Sequence, residues 1–218
     1  GINFNFGLLY KPMPELSVGV SYRHLTDLEF EGDAVFSNMA GVATYFPGGT
    51  GKATLPMPAD LKAGIAYDID RDLTVEADFQ YVFWKEYDVL KLDIPVGPVF
   101  PLLGAPLQGP VTSEKKWENS ILLRFGGEYR MDKLALRAGI VYDQTPQPDK
   151  SVEPMLPDAN RIEGVIGAGY AVSESIMIHA AFQYINSLER EVKAPENIFP
   201  GKYKSTAMLF GLNLELAL

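Results

Sequence analysis

The sequence predicts an all-β protein, an antiparallel up-and-down transmembrane β-barrel. Stretches of about ten residues alternate between apolar and polar side chains, which is the period of a β-strand. Short turns alternate strictly with long connections along the chain, as in barrels whose two rims differ. Four strands also carry Gly-x-x-Tyr at the short-turn end, and their tyrosines share the apolar face: Tyr10, Tyr67, Tyr129 and Tyr170. This row predicts an aromatic girdle at a membrane interface.

The composition narrows the class of protein. The chain has 218 residues, 47% of them hydrophobic, and a formal net charge of −9, which argues against nucleic acid as a partner. It contains no run of about 18 apolar residues, so no transmembrane helix is predicted. A strand crosses a bilayer with only about 9–11 residues, and its alternation hides it from hydropathy averages. Cysteine is absent, which excludes a disulfide scaffold and a cysteine-ligated metal.

Nine strands follow from the alternation when the chain is taken in order. Their predicted ranges are 2–11, 16–23, 60–67, 73–84, 118–130, 134–143, 161–170, 176–186 and 206–218. Short turns lie near residues 12, 69, 131 and 173, and long connections cover about 24–56, 87–115, 144–160 and 188–201. Proline and glycine are frequent in the long connections, which predicts loops there.

The hairpin at 117–143 shows the pattern most clearly, because each strand has one apolar face and one charged face. A turn at Met131-Asp132 would set Gly126 opposite Arg137 and leave room for the arginine side chain across the ladder. An arginine facing lipid near the midplane would cost about 2–4 kcal/mol. All the strand charges lie on the other face, so they are predicted to line the lumen.

A soluble β-sandwich is the alternative fold, with the apolar face as its core. A sandwich gives no reason to place tyrosines at one end of every second strand, and its loops would be more even in length. The alternation pattern therefore favours the barrel.

Five motifs between residues 56 and 184 resemble the FadL/TodX-type family of outer-membrane transporters for long-chain fatty acids and hydrocarbons. They are PMPADL at 56–61 with Gly64 and Tyr67, Trp84 with Tyr87-Asp88, WENS at 117–120 leading to Arg124 and GEY at 127–129, LRAGIVYDQTP at 136–146, and PDANR at 157–161. Each motif alone is weak, and the resemblance depends on finding all five in the order of the family.

The resemblance implies a bacterial outer-membrane protein with its long loops extracellular. The barrel of this family has fourteen strands and a small N-terminal hatch domain, so the nine strands found here would be the sixth to the fourteenth. Residues 1–218 would then form a single β-barrel domain, the C-terminal part of the protein, without the hatch and the first strands. A full-length monomer is expected, in contact with outer-membrane lipid and lipopolysaccharide.

The resemblance also implies uptake of long-chain fatty acids or related hydrophobic compounds by passive, ligand-driven diffusion, without a cofactor. A fatty-acid carboxylate needs a cation, and bidentate pairing with arginine would suit it. The candidates on the polar face are Arg124, Arg137, Arg161 and Lys62. The alternative, which is favoured for any single arginine, is that these cations pair with lumen carboxylates and fill the barrel. It is favoured most for Arg161, because Asp158 and Asn160 adjoin it.

A hydrophobic groove is the second candidate site. The connection at 24–56 contains large apolar residues, among them Phe30, Phe36, Met39, Tyr45 and Phe46. By the resemblance it is the fourth extracellular loop, which forms a low-affinity groove with the third. Exposed apolar patches often mark binding sites. Equally, these side chains could pack the loop onto the rim.

Catalysis is not predicted. The chain has two histidines, His24 and His179, with no serine or aspartate arrangement typical of barrel lipases or proteases and no metal-ligand spacing. The alternative function is a non-transporting, structural or adhesin-like outer-membrane barrel whose loops bind partners.

Overall fold

The computed structural model describes residues 1–35, 37, 48–93 and 111–216. In these residues the regular structure is fifteen β-strands and two short 3-10 helices, Trp84–Glu86 and Asp149–Ser151. The strands are β1 Asn5–Met13, β2 Leu16–Arg23, β3 Thr26–Ala34, β4 Gly49–Met57, β5 Asp60–Asp68, β6 Leu73–Val82, β7 Val89–Asp93, β8 Val111–Glu114, β9 Ser120–Met131, β10 Leu134–Asp143, β11 Arg161–Ser173, β12 Ile176–Ser187, β13 Arg190–Val192, β14 Gly201–Tyr203 and β15 Thr206–Leu216. No helix in this part of the chain is long and apolar enough to cross a membrane.

Nine strands form one antiparallel sheet in the order β1-β2-β5-β6-β9-β10-β11-β12-β15. Each strand pairs with the next strand of the sheet along the chain, which confirms the predicted all-β, antiparallel, up-and-down fold class. The nine predicted strands coincide with these nine within a few residues. The sheet is open, with β1 and β15 at its two edges.

The two faces of the sheet differ sharply in chemistry. The register aligns apolar side chains across the strands, for example Phe79 opposite Leu123 and Leu123 opposite Tyr142. These side chains are exposed: Ile166 is 60% accessible and Phe210 is 79% accessible. A sandwich would bury this face in its core, so the exposure argues against the soluble alternative and for an apolar surrounding.

A second sheet continues two of the hairpins beyond the main sheet, in the order β3-β4-β7-β8. Arg23 faces Asp60 at the end of the β2–β5 pair, and Thr26 faces Met57 at the start of the β3–β4 pair, so the register is unbroken. β13 and β14 also extend the β12–β15 hairpin, but there the pairing shifts by one residue. The prediction of loops throughout 24–56, 87–115 and 188–201 is therefore wrong for these segments, where the backbone continues its ladder.

The β9–β10 hairpin has a different register from the predicted one. Its turn consists of Asp132 and Lys133, and Asp132 adopts a φ of 48°. Leu134 therefore pairs with Met131, and Arg137 faces Glu128. The prediction that Gly126 lies opposite Arg137 is wrong, because the turn is centred one residue later and each partner shifts by two positions.

The long connections pack together where they leave the main sheet. Val152 and Val192, one from each of the two later connections, are 2% exposed. Arg190 donates hydrogen bonds to the carbonyl oxygens of Gln147, at 2.6 Å, and Asp158, at 2.7 Å. Most of the buried residues in the described part of the chain lie in this region rather than between the strands of the main sheet.

Candidate functional site

A hollow of about 420 Å³ lies on the polar face of the main sheet, across the five strands β6, β9, β10, β11 and β12. Small and apolar residues form its floor: Gly126, Gly139, Val141, Val165, Gly167 and Ala181. Charged and polar side chains surround this floor: Glu76, Arg124, Glu128, Arg137 and His179. The volume lies within the roughly 300–1,000 Å³ of small-molecule sites, and an apolar floor with few polar groups is their usual chemistry.

The strand register produces this floor. Gly126 on β9 pairs with Gly139 on β10, and Gly139 pairs with Val165 on β11. Arg137 pairs with Gly167 on the next row toward the short turns. Three glycines are thus adjacent on one face, and the wall is recessed there because they carry no side chains.

Arg124 stands at one side of the hollow and forms no ion pair with any residue that the structure describes. Its Nη2 donates a hydrogen bond to Gln80 Oε1 at 3.3 Å. Asp78 is its partner in the β6–β9 ladder, yet no carboxylate oxygen of the described residues lies within 4.0 Å of the guanidinium. Its charge is therefore available for a further partner, as an arginine that recognises an anion requires.

Arg137 stands at the opposite side and is engaged. Its Nε donates to Glu128 Oε2 at 2.6 Å, and its Nη1 lies 3.2 Å from His179 Nδ1. Because a guanidinium only donates, Nδ1 is the acceptor, and Nε2 carries the proton that points to Glu215 Oε2 at 3.3 Å. Arg137 reaches His179 across β11 because Gly169 lacks a side chain: a Cβ there would lie 2.8 Å from Nδ1.

These contacts form a charged belt across the polar face. It consists of Glu128, Arg130, Arg137, His179 and Glu215. Arg130 Nη1 donates to the second oxygen of Glu128, Oε1, at 2.8 Å, so this carboxylate is shared between two arginines. The belt bounds the hollow on the side of the short turns.

The other two predicted cations lie outside the hollow. Lys62 Nζ lies 3.3 Å from Asp60 Oδ1, in a separate hollow of about 560 Å³ on β1, β2, β5 and β6. Arg161 forms ion pairs with Asp143 and, at 3.0 Å, with Asp158. Of the four candidates, the structure thus brings Arg124 and Arg137 together and separates Lys62 and Arg161 from them.

The predicted loop groove is described only at Phe30. This residue lies on β3, is 54% exposed and lines a concavity of about 320 Å³ with Lys52 and Leu92. The other four candidates, Phe36, Met39, Tyr45 and Phe46, lie outside the described residues.

The four predicted girdle tyrosines are all exposed, between 43% and 63%. Three of them face the first residue of a neighbouring strand: Tyr67 faces Leu16, Tyr129 faces Leu73, and Leu134 faces Tyr170. They therefore lie on the apolar face close to the short turns. Their interfacial role stays a prediction.

Sequence reasoning did not bring Gly139, Glu128 and His179 together with Arg124 and Arg137 in one site. A two-residue turn at Asp132-Lys133 predicts the pairs Gly126–Gly139 and Glu128–Arg137 directly. The position of this turn was therefore the feature of the sequence from which Gly139 and Glu128 could have been found. The position of His179 beside Arg137 depends on two glycines of the intervening strand. Within the described part of the chain, no group of three histidine or carboxylate side chains is arranged to hold a metal ion.

A meandering sheet with an exposed apolar face and a charged polar face defines the wall of a transmembrane β-barrel of the outer membrane. The chain belongs to the family described as "Outer membrane protein transport protein (OMPP1/FadL/TodX)", whose model matches residues 1–217. The description of the family is that of transport proteins of the outer membrane.

Curated relatives support this assignment. Outer membrane protein P1 of Haemophilus influenzae is 24% identical over 226 residues, covering 98% of this chain and 46% of that protein. The long-chain fatty acid transport protein of Escherichia coli K12 is 21% identical over 227 residues, covering 100% and 48%. The chain thus spans about half the length of the curated relatives it matches.

Solved structures show the same fold. A FadL homologue of Pseudomonas aeruginosa superposes with a TM-score of 0.77 at 21% identity, covering 98% of this chain and 52% of the other. The toluene transporter TodX of P. putida gives a TM-score of 0.66 at 18% identity, covering 98% and 48%. These proteins confirm the barrel assignment for the open nine-stranded sheet.

Proposed function

We propose that the protein takes up long-chain fatty acids or related hydrophobic compounds by passive, ligand-driven diffusion through its barrel. The observation that carries this proposal is the hollow, where Arg124, which has no carboxylate partner among the described residues, adjoins an apolar floor. The family membership and the fatty-acid transport named for the Escherichia coli relative are consistent with it.

The chemistry of the hollow suits an amphiphile with one carboxylate. A guanidinium can donate hydrogen bonds to both carboxylate oxygens, and such charge-assisted hydrogen bonds are roughly twice as strong as neutral ones. Arg124 is the stronger candidate because Arg137 already forms an ion pair with Glu128. Arg161 joins β11 to β10 through its ion pair with Asp143, and Lys62 is paired with Asp60 on its own strand, so both are assigned a structural role.

The remaining surfaces fit the same orientation in the membrane. The long connections, including Phe30 and the second sheet, would lie outside the cell and collect hydrophobic ligand. The tyrosines near the short turns, Tyr10, Tyr67, Tyr129 and Tyr170, would lie at the periplasmic interface. The full-length protein would be a monomer surrounded by lipid and lipopolysaccharide.

A second ligand class has its own support. The structural neighbours include a toluene transporter and a monoaromatic hydrocarbon channel, and their ligands carry no charge. The apolar floor of the hollow could receive such a compound without Arg124. The non-transporting alternative is supported by the second sheet, because a partner could bind to its strands β3 and β4.

Uptake measurements distinguish the fatty-acid transporter, the hydrocarbon transporter and the non-transporting barrel. Cells lacking their own transporter are given the full-length gene, and entry of labelled oleate and of labelled toluene is measured at matched protein levels in the outer membrane. The proposal predicts a gain of oleate uptake over empty vector. A gain for toluene alone would assign the hydrocarbon class, and no gain for either would favour the non-transporting barrel.

The variant Arg124→Ala should lose most of the oleate gain and none of any toluene gain. Lys62→Ala is the matched control, since it removes a polar-face cation that lies outside the hollow and leaves Asp60 paired with Arg23. Equal loss in both variants would show that Arg124 has no specific role in binding the carboxylate.

A further inference from the structure

Asp78 and Arg124 carry opposite charges and face each other without pairing. They are ladder partners on β6 and β9, on the polar face of the main sheet. Side chains in such directly opposed positions have Cβ atoms about 4.5–5.5 Å apart, and opposite charges there normally attract and interact. Among the residues that the structure describes, however, neither side chain has an ion-pair partner. A feature of the neighbouring strands therefore keeps the two groups apart.

The two side chains lean in different directions. Arg124 Nη2 donates to Gln80 Oε1 at 3.3 Å, so the guanidinium is directed along β6 toward the long connections. Asp78 leans across to β5, where its Oδ1 occupies the position that a Cβ on Gly64 would need. Gly64 faces Asp78 in the β5–β6 ladder, so Gly64, Asp78 and Arg124 form one row across three strands. The carboxylate thus lies on the glycine side of this row and not on the arginine side.

Neither the backbone nor the packing of the strands requires glycine at position 64. In the described part of the chain the glycines with positive φ are Gly48 and Gly49, so Gly64 lies in backbone that any residue adopts. A Cβ on Gly64 would lie 3.8 Å from the carbonyl oxygen of Ala77, which is an ordinary contact. Glycine inside a strand also weakens the strand. The group that a side chain at position 64 would displace is therefore the carboxylate of Asp78.

We infer that Gly64 keeps Arg124 available for a ligand, because it gives the Asp78 carboxylate a place on β5. Gly64 is a positioning residue, and it acts on the hollow through Asp78. The inference rests on the proposed function, since it takes Arg124 as the group that binds a ligand carboxylate, and it adds the residues that regulate this binding.

The consequence of a side chain at position 64 follows from the row. The Asp78 carboxylate is the end of a flexible side chain, so it moves to another staggered rotamer while the backbone stays in place. Arg124 is its neighbour on the other side, and the two charges attract each other. Asp78 would then accept hydrogen bonds from the guanidinium and compete with the carboxylate of a ligand.

The test is the ratio of the affinities for oleate and oleyl alcohol, measured at equilibrium on the full-length protein purified in detergent. The two probes differ only in the head group, so the ratio reports binding of the carboxylate and is insensitive to changes in the apolar floor. The wild type prefers oleate. In Gly64→Ala the ratio falls about fivefold, which is the competition expected from a partly exposed ion pair.

Removing Asp78 separates this effect from any other effect of the alanine. In Asp78→Ala there is no carboxylate to displace, so the double variant Gly64→Ala/Asp78→Ala has the same ratio as Asp78→Ala alone. Such non-additivity measures the coupling between the two positions.

Gly19→Ala is the matched control. Gly19 is the partner of Gly64 in the β2–β5 ladder, so it lies in the same row and on the same face. The nearest atoms to a Cβ there would be Leu9 Cδ1 at 3.9 Å and the carbonyl oxygen of Leu8 at 4.0 Å, and no atom of Asp78 is as close. The ratio in Gly19→Ala therefore stays at the wild-type value.

An undiminished ratio in Gly64→Ala, an equal fall in Gly19→Ala, or the same fall in the Asp78→Ala background would overturn the inference and leave the proposed function intact. A wild type that binds oleate no better than oleyl alcohol would overturn the carboxylate site at Arg124, and the inference with it.

Discussion

Arg190 shows how much of the rim depends on single side chains. Its guanidinium donates to two carbonyl oxygens and to Asp149 Oδ1, at 2.7 and 2.9 Å, and only 13% of its side chain is exposed. Asn197 adds hydrogen bonds to the carbonyl oxygens of Asp149 and Val152, both at 2.7 Å. The connections at 144–160 and 188–201 are therefore joined by polar contacts as well as by the Val152 and Val192 side chains.

Removing Arg190 should loosen this junction. Arg190→Ala leaves buried carbonyl oxygens without donors, at a cost of about 1–3 kcal/mol each. Local opening then becomes more frequent, so trypsin should cleave after the exposed Lys150 about tenfold faster in the membrane-embedded protein.

Lys202→Ala is the control for that experiment. Both side chains of the Lys202–Glu189 ion pair are exposed, so the pair should contribute little to the stability of the junction. Equal cleavage rates in Arg190→Ala and wild type would show that the junction does not depend on Arg190.

Alternation alone predicted the face of each candidate cation, but it did not predict the partners. Arg124, Arg137, Lys62 and Arg161 all lie on the polar face, as the period of two requires. Their pairing depends on register and on neighbours far along the chain: Arg161 meets Asp143 through the β10–β11 ladder, and Arg137 meets His179 over a glycine. A single sequence does not show that either of these pairs of side chains comes into contact.

At the scale of elements, the nine long strands were predictable because each alternates over a full membrane crossing. β3 alternates too, with Leu28 and Phe30 between acidic residues, but its charges made it resemble a solvated loop. β13 and β14 have three residues each, which is too short for a period to be recognised. Both extensions continue a ladder that the main hairpins begin.

The extended sheet should behave as one cooperative unit. β4 is paired on both sides, and Thr54 faces Glu29 on β3 and Lys91 on β7. Thr54→Pro removes a donor from this internal strand, so hydrogen exchange should speed up in β3, β4 and β7 while β2 and β5 stay protected.

Thr54→Val keeps the backbone donor and a β-branched side chain, so its exchange pattern should match the wild type. Unchanged protection of β7 in Thr54→Pro would mean that the two extended hairpins fold independently of each other.

At the scale of the molecule, the barrel class followed from the sequence because lipid and lumen impose opposite chemistry on alternate residues. The hollow did not follow, since it is a product of five strands in register. The proposed function depends on a difference between two arginines that only the assembled sheet shows. Arg137 forms an ion pair with Glu128, whereas Arg124 has no carboxylate partner among the described residues.

The most direct test of the account is the preference of the full-length protein for oleate over oleyl alcohol, measured at equilibrium in wild type, Arg124→Ala and Arg137→Ala. The wild type should prefer oleate by about tenfold, the value of a hydrogen-bonded charge. Arg124→Ala should lose this preference while its affinity for the alcohol stays the same, and Arg137→Ala should keep most of it. An undiminished preference for oleate in Arg124→Ala would contradict the assignment of the hollow as the carboxylate site.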